Sequence, residues 1–322
     1  MAAGLLGYTI RRLLWAVPVL FAVSVIVFMI LRAAPGDPVD ALLGQRYTEQ
    51  TAEAVRRKYG YDDPIPIQYW KYMTNLAKGD LGVSTRHQDF SVSEVIWPKI
   101  VVSSRLGAIA LVMTFLVGIP VGIYAALARG TPLDPLTIGF WLALDAFPAF
   151  VTIPLLQWLF AVELGWVSSQ WDTEAPWGGL LSVDALLPIA VMSIPGIAGV
   201  ARFMRASIIS VMTEDYVRTA RAKGLLERTV VVTHITRNAM LPMVTVIGLS
   251  LPGIAAGALF VELLFGVPGI ASEALAAVRA PDFDVIMGLV LFGSTLFVLA
   301  NILVDISYAL IDPRVRVGSA RG

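Results

Sequence analysis

The sequence contains no cysteine, which removes disulfides and thiolate metal sites and leaves the redox compartment open. Only two histidines occur, His87 and His234. They are far apart and fall in segments assigned below to opposite sides of a membrane, so no histidine metal site or triad is expected within the chain. The charges cancel, 24 Lys and Arg against 24 Asp and Glu, and nothing favours a nucleic-acid partner. No GxxxxGK[ST] phosphate loop is present, so ATP is not bound by that route. No HExxH and no GxSxG occur either. The expectation is a chain with no catalytic residue, no metal and no cofactor of its own.

What the chain has is apolar residues, 57% of 322. Soluble domains usually stay near 45–50%. The excess is gathered in runs, which predicts an all-α, polytopic membrane protein. Arg11-Arg12 flanks the first run, 13–31, long enough to cross about 30 Å of hydrocarbon. A cleaved signal peptide is the rival reading, since Ala33-Ala34 are small, but signal h-regions usually run about 7–15 residues. Residues 1–32 are therefore read as the N-terminus and a retained first span.

Residues 33–100 are polar and mixed, and are read as an extracytoplasmic insertion packed on the membrane part. Within it, 48–59 reads as a short helix capped by Thr48, with Ala52 and Val55 on one face. Its Tyr69, Trp70 and Tyr72 suit a membrane interface. Five further spans follow, at about 103–128, 135–161, 184–205, 239–263 and 285–310, making a five-helix core over 101–310 and six spans in all. Lys and Arg concentrate in the 206–238 loop and in the tail, 311–322, whereas 162–183 has none. By the positive-inside rule both termini and the 206–238 loop are cytoplasmic.

The spans carry interruptions and charges. Gly118 with Gly122, and Gly253 with Gly257, have the small-xxx-small spacing that lets helices approach closely. Pro148, Pro154, Pro188, Pro195 and Pro252 remove backbone donors within apolar runs. Asp145, Arg202, Glu262 and Asp305 lie in or at the ends of spans, where charge is expensive and normally faces protein or water.

One polar stretch stands between two apolar ones: Glu214-Asp215-Tyr216-Val217-Arg218-Thr219-Ala220-Arg221-Ala222-Lys223-Gly224. Acids open it and cations close it, as a helix dipole favours. Thr213 is the expected cap and Gly224 the expected left-handed terminus. The pattern predicts a helix of about ten residues, roughly 15 Å long, at a membrane surface. Arg218, Arg221 and Ala222 are spaced to share neighbouring faces, Ala220 and Ala222 are small enough for close approach, and Tyr216 is a large anchor.

This stretch, with 234–242 (HITRNAMLP), resembles the cytoplasmic coupling loop of ABC-importer membrane subunits. In particular the chain resembles the B-type permease subunit of the dipeptide and oligopeptide (peptide/nickel) importers. The resemblance includes Arg11-Arg12-Leu13-Leu14, Pro35-Gly36-Asp37-Pro38, Gly79-Asp80-Leu81-Gly82-Val83-Ser84, Pro268-Gly269, Asn301 and Asp305 with Tyr308, and Asp312-Pro313-Arg314. It departs from the general pattern in three places. Arg218-Thr219-Ala220 stands where Glu-Ala-Ala is usual, a variation common in the peptide branch. Asp145 precedes Ala146-Phe147-Pro148 where relatives read Ser-Ile-Pro, and Pro268-Gly269-Ile270-Ala271 replaces Pro-Gly-Leu-Gly.

The resemblance implies a type I ABC importer permease fold in a bacterial or archaeal cytoplasmic membrane. It implies half of a translocation pathway, a second homologous permease, two ATPase subunits that hold ATP and Mg, and an extracytoplasmic solute-binding protein. It carries ATPase coupling to Asp215, Tyr216, Arg218, Ala220, Arg221, Ala222, Lys223 and Gly224. It gives Glu262, Asn301 and Asp305 a shared structural or gating role and assigns binding-protein contact to the loop with Pro268 and Gly269; the departure at Asp145 is what sets a carboxylate near the pathway. Peptides are the first cargo implied, with nickel, oligosaccharide or glutathione as alternatives. A secondary transporter is the reading from a different class, though the few scattered charges do not resemble a midplane ion site.

Overall fold

The computed structural model describes residues 2–33, 39, 43, 48–87, 90–175, 179–250 and 259–311. The described residues are almost wholly helical; their one strand-like feature is a bridge between Val83 and Ser91. In chain order the helices are α1 (Ala2–Ala33), α2 (Glu49–Tyr59), α3 (Ile65–Leu76) and α4 (Val92–Leu127). Next come α5 (Leu133–Asp145), α6 (Ala149–Gln157), which runs into a wide turn at Trp158–Glu163, and α7 (Leu186–Met212). Then follow α8 (Asp215–Ala222), α9 (Glu227–Ala239), α10 (Leu241–Ser250), α11 (Leu259–Phe265), α12 (Ile270–Arg279) and α13 (Phe283–Ile311).

Four helical segments are long and apolar enough to cross a membrane, and seven are if each bent pair counts as one span. The six expected spans fall within that range. Their shapes differ from six straight rods. The run expected at 135–161 is two helices bent by 95°, with Pro148 breaking the helix at the N-cap of the second in an extended conformation (ψ 142°). The run expected at 239–263 is already helical from Glu227, bends by 47° between Ala239 and Leu241, and its residues 251–258, with Pro252, Gly253 and Gly257, lie outside the described residues. Helix α4 starts at Val92, inside the stretch read as polar insertion. Ser91-Val92-Ser93-Glu94 closes a capping box there: the Ser91 amide donates to Glu94 Oε2 (2.8 Å), and Ser91 Oγ accepts from the Glu94 amide (3.3 Å). Thr48 caps α2 as expected, with its Oγ1 accepting from the Thr51 amide at 3.3 Å, and Ala52 is buried.

The helices gather into two compact units. The first joins 1–103 to 268–302. Val92, Val95, Ile96 and Ile100 of α4 share a core with Ala277 of α12 and with Val285 and Leu289 of α13. Helix α3 lies on α1 and α13, with Tyr69, Tyr72 and Leu76 against Phe28, Met287 and Leu291. The Tyr69 ring meets Phe28 edge-on at 5.3 Å, and its hydroxyl is 2.7 Å from Ser24 Oγ. Helix α3 is thus no free-standing element: its aromatics fasten it to α1 and α13. Trp70, on the other face of α3, is exposed.

The second unit comprises 104–267 and 303–322. Gly118 and Gly122 of α4 form a notch for α7, as the small-xxx-small spacing predicts. A Cβ on Gly122 would stand 2.6 Å from the Ala201 carbonyl, and one on Gly118 would stand 2.8 Å from Val200. Across the same helix, Arg205 donates twice to the buried Asp134 carboxylate (2.5 and 2.6 Å), tying α7 to the start of α5. Such forked Arg–carboxylate pairs fix orientation as well as contributing energy.

Candidate functional site

Helix α8 has eight residues, Asp215–Ala222, about 12 Å at 1.5 Å per residue. The charge pattern predicts about ten residues and a Thr213 cap. Instead α7 runs on to Met212, and Thr213 spends its hydroxyl on the Ser210 carbonyl (2.7 Å), so Glu214 holds the N-cap position without a side-chain cap bond. Only two residues separate α7 from α8. Gly224 is left-handed, φ +73°, as expected of the terminator.

The two faces of α8 do different work. Val217 and Ala220, three residues apart, point inward and are buried. They join Met204 and Ile208 of α7, Val230, Ile235 and Ala239 of α9, and Met243 of α10 in one core. Ala220 therefore cannot offer a close approach to another protein, as its size suggested; its methyl is spent on anchoring α8. The opposite face exposes Asp215, Tyr216, Arg218, Ala222 and Lys223. Arg221 is partly occupied: it donates to both Glu227 oxygens (2.7 and 3.2 Å), a pairing that holds its guanidinium above the usual range and closes the 221–227 turn. Asp215 and Arg218 pair along the helix at 3.6 Å.

Beyond Gly224 the chain exposes Leu225 and Leu226, the latter 78% accessible. Sequence reasoning passed over both. Two exposed leucines beside a left-handed glycine make a small apolar edge on a charged surface, the composition of a protein-contact patch. The signal was the apolar pair Leu225-Leu226 standing directly after Gly224 between Lys223 and Glu227.

The residues assigned to the pathway fall on elements other than α8. Asp145 ends α5, half-buried, at the 95° bend. Glu262 sits in α11 with 1% of its surface exposed. A cavity of about 350 Å³ lies between α4, α7 and α10, bordered by Thr114, Met192, Gly199 and Ser250. In the first unit, Asn301 Nδ2 donates to the Phe297 carbonyl one turn back (2.9 Å). Asp305 is on α13, but its side chain lies outside the described residues, as do Tyr308 in part and Asp312-Pro313-Arg314 and Pro35-Gly36-Asp37-Pro38 entirely.

The loop with Pro268 and Gly269 starts α12. Ser272 Oγ accepts from the Gly269 amide (3.0 Å), and Ser103 Oγ accepts from the Ile270 amide (2.8 Å). One turn on, Glu273 is buried and bonds Arg86, with Lys99 at 3.7 Å and His87 at 3.4 Å. Ser84 donates to Asp282 at 2.5 Å. These contacts, spanning nearly 200 residues of chain, give the motif that begins Gly79-Asp80 a structural role: it fastens the 80–87 turn to the approach of the last helix.

Comparison with known proteins agrees with this geometry. Residues 118–317 match the family described as binding-protein-dependent transport system inner membrane component, and residues 5–93 match its N-terminal companion. The oligopeptide transport system permease protein of Haemophilus influenzae is 34% identical over 97% of this chain and all of its own length. That of Salmonella typhimurium is also 34% identical, again over 97% of this chain and all of its own. Among solved structures, an amino acid ABC transporter with histidines aligns with 73% of this chain and 95% of its own at a TM-score of 0.50 and 13% identity, a likeness of fold alone. With its apolar helices, its bent spans and two family matches that together take in most of its length, this multi-pass membrane chain belongs to the inner membrane components of binding-protein-dependent ABC transport systems.

Proposed function

We propose that the chain is one permease subunit of an ATP-driven peptide importer and that α8 is the element on which ATPase subunits act. The observation that carries this is the division of α8: Val217 and Ala220 are built into the core of α7, α9 and α10, while Tyr216, Arg218, Ala222 and Lys223 face outward, and Leu225 and Leu226, which follow the helix, are exposed. A push on the outer face has no slack to take up, because two residues join α8 to α7. It moves the attached spans as a body, which is how rigid elements switch access from one side to the other. ATP and Mg belong to the ATPases, not to this chain.

The rest of the assembly follows from the family. A second, homologous permease supplies the other half of the pathway. An extracytoplasmic binding protein delivers cargo, with the Pro268-Gly269 loop among its contacts. Lys and Arg placement supports cytoplasmic termini and a cytoplasmic α8. Peptide cargo is supported by the names of the relatives, with nickel, oligosaccharide or glutathione as the alternatives. The Thr114, Met192, Gly199 and Ser250 cavity is a candidate stretch of pathway wall.

The test is a gentle-detergent pull-down of tagged chain from its native cell, followed by mass spectrometry. Two ATPases and a related permease are expected. Recovery of the chain alone, even after crosslinking in the cell, overturns the proposal and favours a secondary transporter.

A further inference from the structure

A second site lies in the first unit. A cavity of about 190 Å³ opens where the end of α1, helix α3, the 80–83 turn and the start of α13 meet. Two atoms of its lining residues, Gln68 Oε1 and Tyr72 Oη, are buried with no hydrogen-bond partner. The amide of Gln68 is not free to turn over: its Nε2 donates to the carbonyls of Tyr61 (2.9 Å) and Asp63 (2.7 Å), which leaves Oε1 as a bare acceptor. Tyr72 stays a neutral hydroxyl, since burial and the nearby Asp284 charge push its ionisation well above the ordinary value.

Asp284 completes the wall, and the backbone is shaped around it. The Val83 amide donates to its carboxylate. Gly82, at φ +93°, brings the turn so close that a Cβ would lie 2.7 Å from Asp284 Oδ2, so any side chain there would be strained and would force the Asp284 carboxylate to shift. No ion pair among the described residues neutralises Asp284. Arg32 and Lys71 also line the cavity: Arg32 lies over the rings of Phe28 (5.4 Å) and Tyr61 (5.1 Å) while its charge still acts on Asp284, and Lys71 bonds Asp63. Asp80 adds a second carboxylate, with one oxygen taken by the Gly82 amide.

The cavity thus offers acceptors and negative charge, and wants a donor with positive charge. Buried polar groups left unpaired are costly, so an occupant that supplies hydrogen bonds is strongly favoured. A primary ammonium brings three donors and one charge. An apolar cavity of about 150 Å³ holds benzene, so this one has room for a single amino-acid unit and no more. We propose that the pocket formed by Gln68, Tyr72, Asp80 and Asp284 binds the free α-ammonium group of an amino acid or of the amino end of a short peptide. The peptide source rests on the importer reading above; the ammonium chemistry does not.

The experiment uses the full chain with its co-purifying subunits in lipid nanodiscs and measures binding of radiolabelled L-alanyl-L-alanine. Competitors are unlabelled L-alanyl-L-alanine, L-alanine and N-acetyl-L-alanyl-L-alanine. Unacetylated dipeptide should compete, and the acetylated one should not. Tyr72→Phe removes only a hydroxyl that has no partner, so the fold is untouched; it should weaken binding about fivefold to tenfold. Asp284→Asn should weaken it by about tenfold or more. Competition by L-alanine as strong as by the dipeptide assigns the site to free amino acids; competition by the dipeptide alone assigns it to peptide ends. Equal binding of the acetylated dipeptide, an unchanged affinity in Tyr72→Phe, or no binding up to roughly 10 mM overturns the site, leaving a cavity that holds only water. Capture of ATPases with no ammonium binding sinks this site and spares the importer reading; the converse result spares the site.

Discussion

Gly224 offers the sharpest perturbation of α8. A Cβ built there meets no atom within 4 Å, yet the residue holds φ +73°. Any penalty for a side chain is therefore conformational and not a collision. An L residue in the left-handed region costs about 1–2 kcal/mol, Asn is more tolerant, and a β-branched residue is worst. Domains are stable by about 5–15 kcal/mol, so such a penalty does not unfold the chain. The cheaper escape is for the 223–226 turn to leave the left-handed conformation, which redirects the exposed Leu225 and Leu226 that follow α8. The series Gly224→Asn, Gly224→Ala and Gly224→Val should reach the membrane at wild-type levels, as judged by quantitative blotting. ATP-driven peptide uptake should fall in that order, with the valine variant hydrolysing ATP without transport. Normal uptake by Gly224→Val would refute the reasoning. So would loss of the valine variant from the membrane, since the glycine would then serve folding and not coupling.

Three further outcomes are expected. Asp134→Asn leaves Arg205 without its buried partner, and removing one member of a buried pair costs about 3–5 kcal/mol; thermal unfolding in detergent should drop clearly, while Asp134→Asn with Arg205→Met should recover part of the loss. An unchanged midpoint would show that the pair contributes nothing. Gly122→Val puts three carbons where the Ala201 carbonyl and Met204 already stand, an overpacking of about 1–3 kcal/mol or more that should lower yield and midpoint together; wild-type behaviour in both would mean α4 and α7 have room to spare. Asp145→Asn keeps size and removes charge at the α5–α6 bend, and it should alter uptake rate or cargo preference; transport identical to wild type would remove Asp145 from the pathway.

How much of this was legible depends on how local each signal is. Apolar runs such as 13–31 announce spans through composition, and Gly224 announces a helix end because few residues accept its conformation. Val217 and Ala220, the apolar pair three apart in a charged stretch, already marked the inward face of α8, although small size alone pointed Ala220 outward. Ser91-Val92-Ser93-Glu94 carried a capping signal for α4 that its polar surroundings concealed. The bend at 146–148 was masked because apolar residues stand on both sides of Pro148. Glu273 with Arg86, and Asp134 with Arg205, were not legible at all: nothing local distinguishes a charge that will find its partner 187 or 71 residues away from one that faces water.

The make-up of the first unit bears on how the chain is made. Its α1 and α3 are among the earliest parts synthesised, but the surfaces they pack against, Met287 and Leu291 of α13, belong to the last helix. Residues 104–267 must be translated in between, an interval of about 10 to 30 s at the usual 5–20 residues per second. Throughout that time Phe28, Tyr69 and Leu76 have no native cover on that side, so an insertase or chaperone has a defined window in which to shield them. A late stop codon or frameshift, which looks like a loss confined to the C-terminus, would strike at the opposite end of the sequence, because the oldest part of the chain is completed by the youngest.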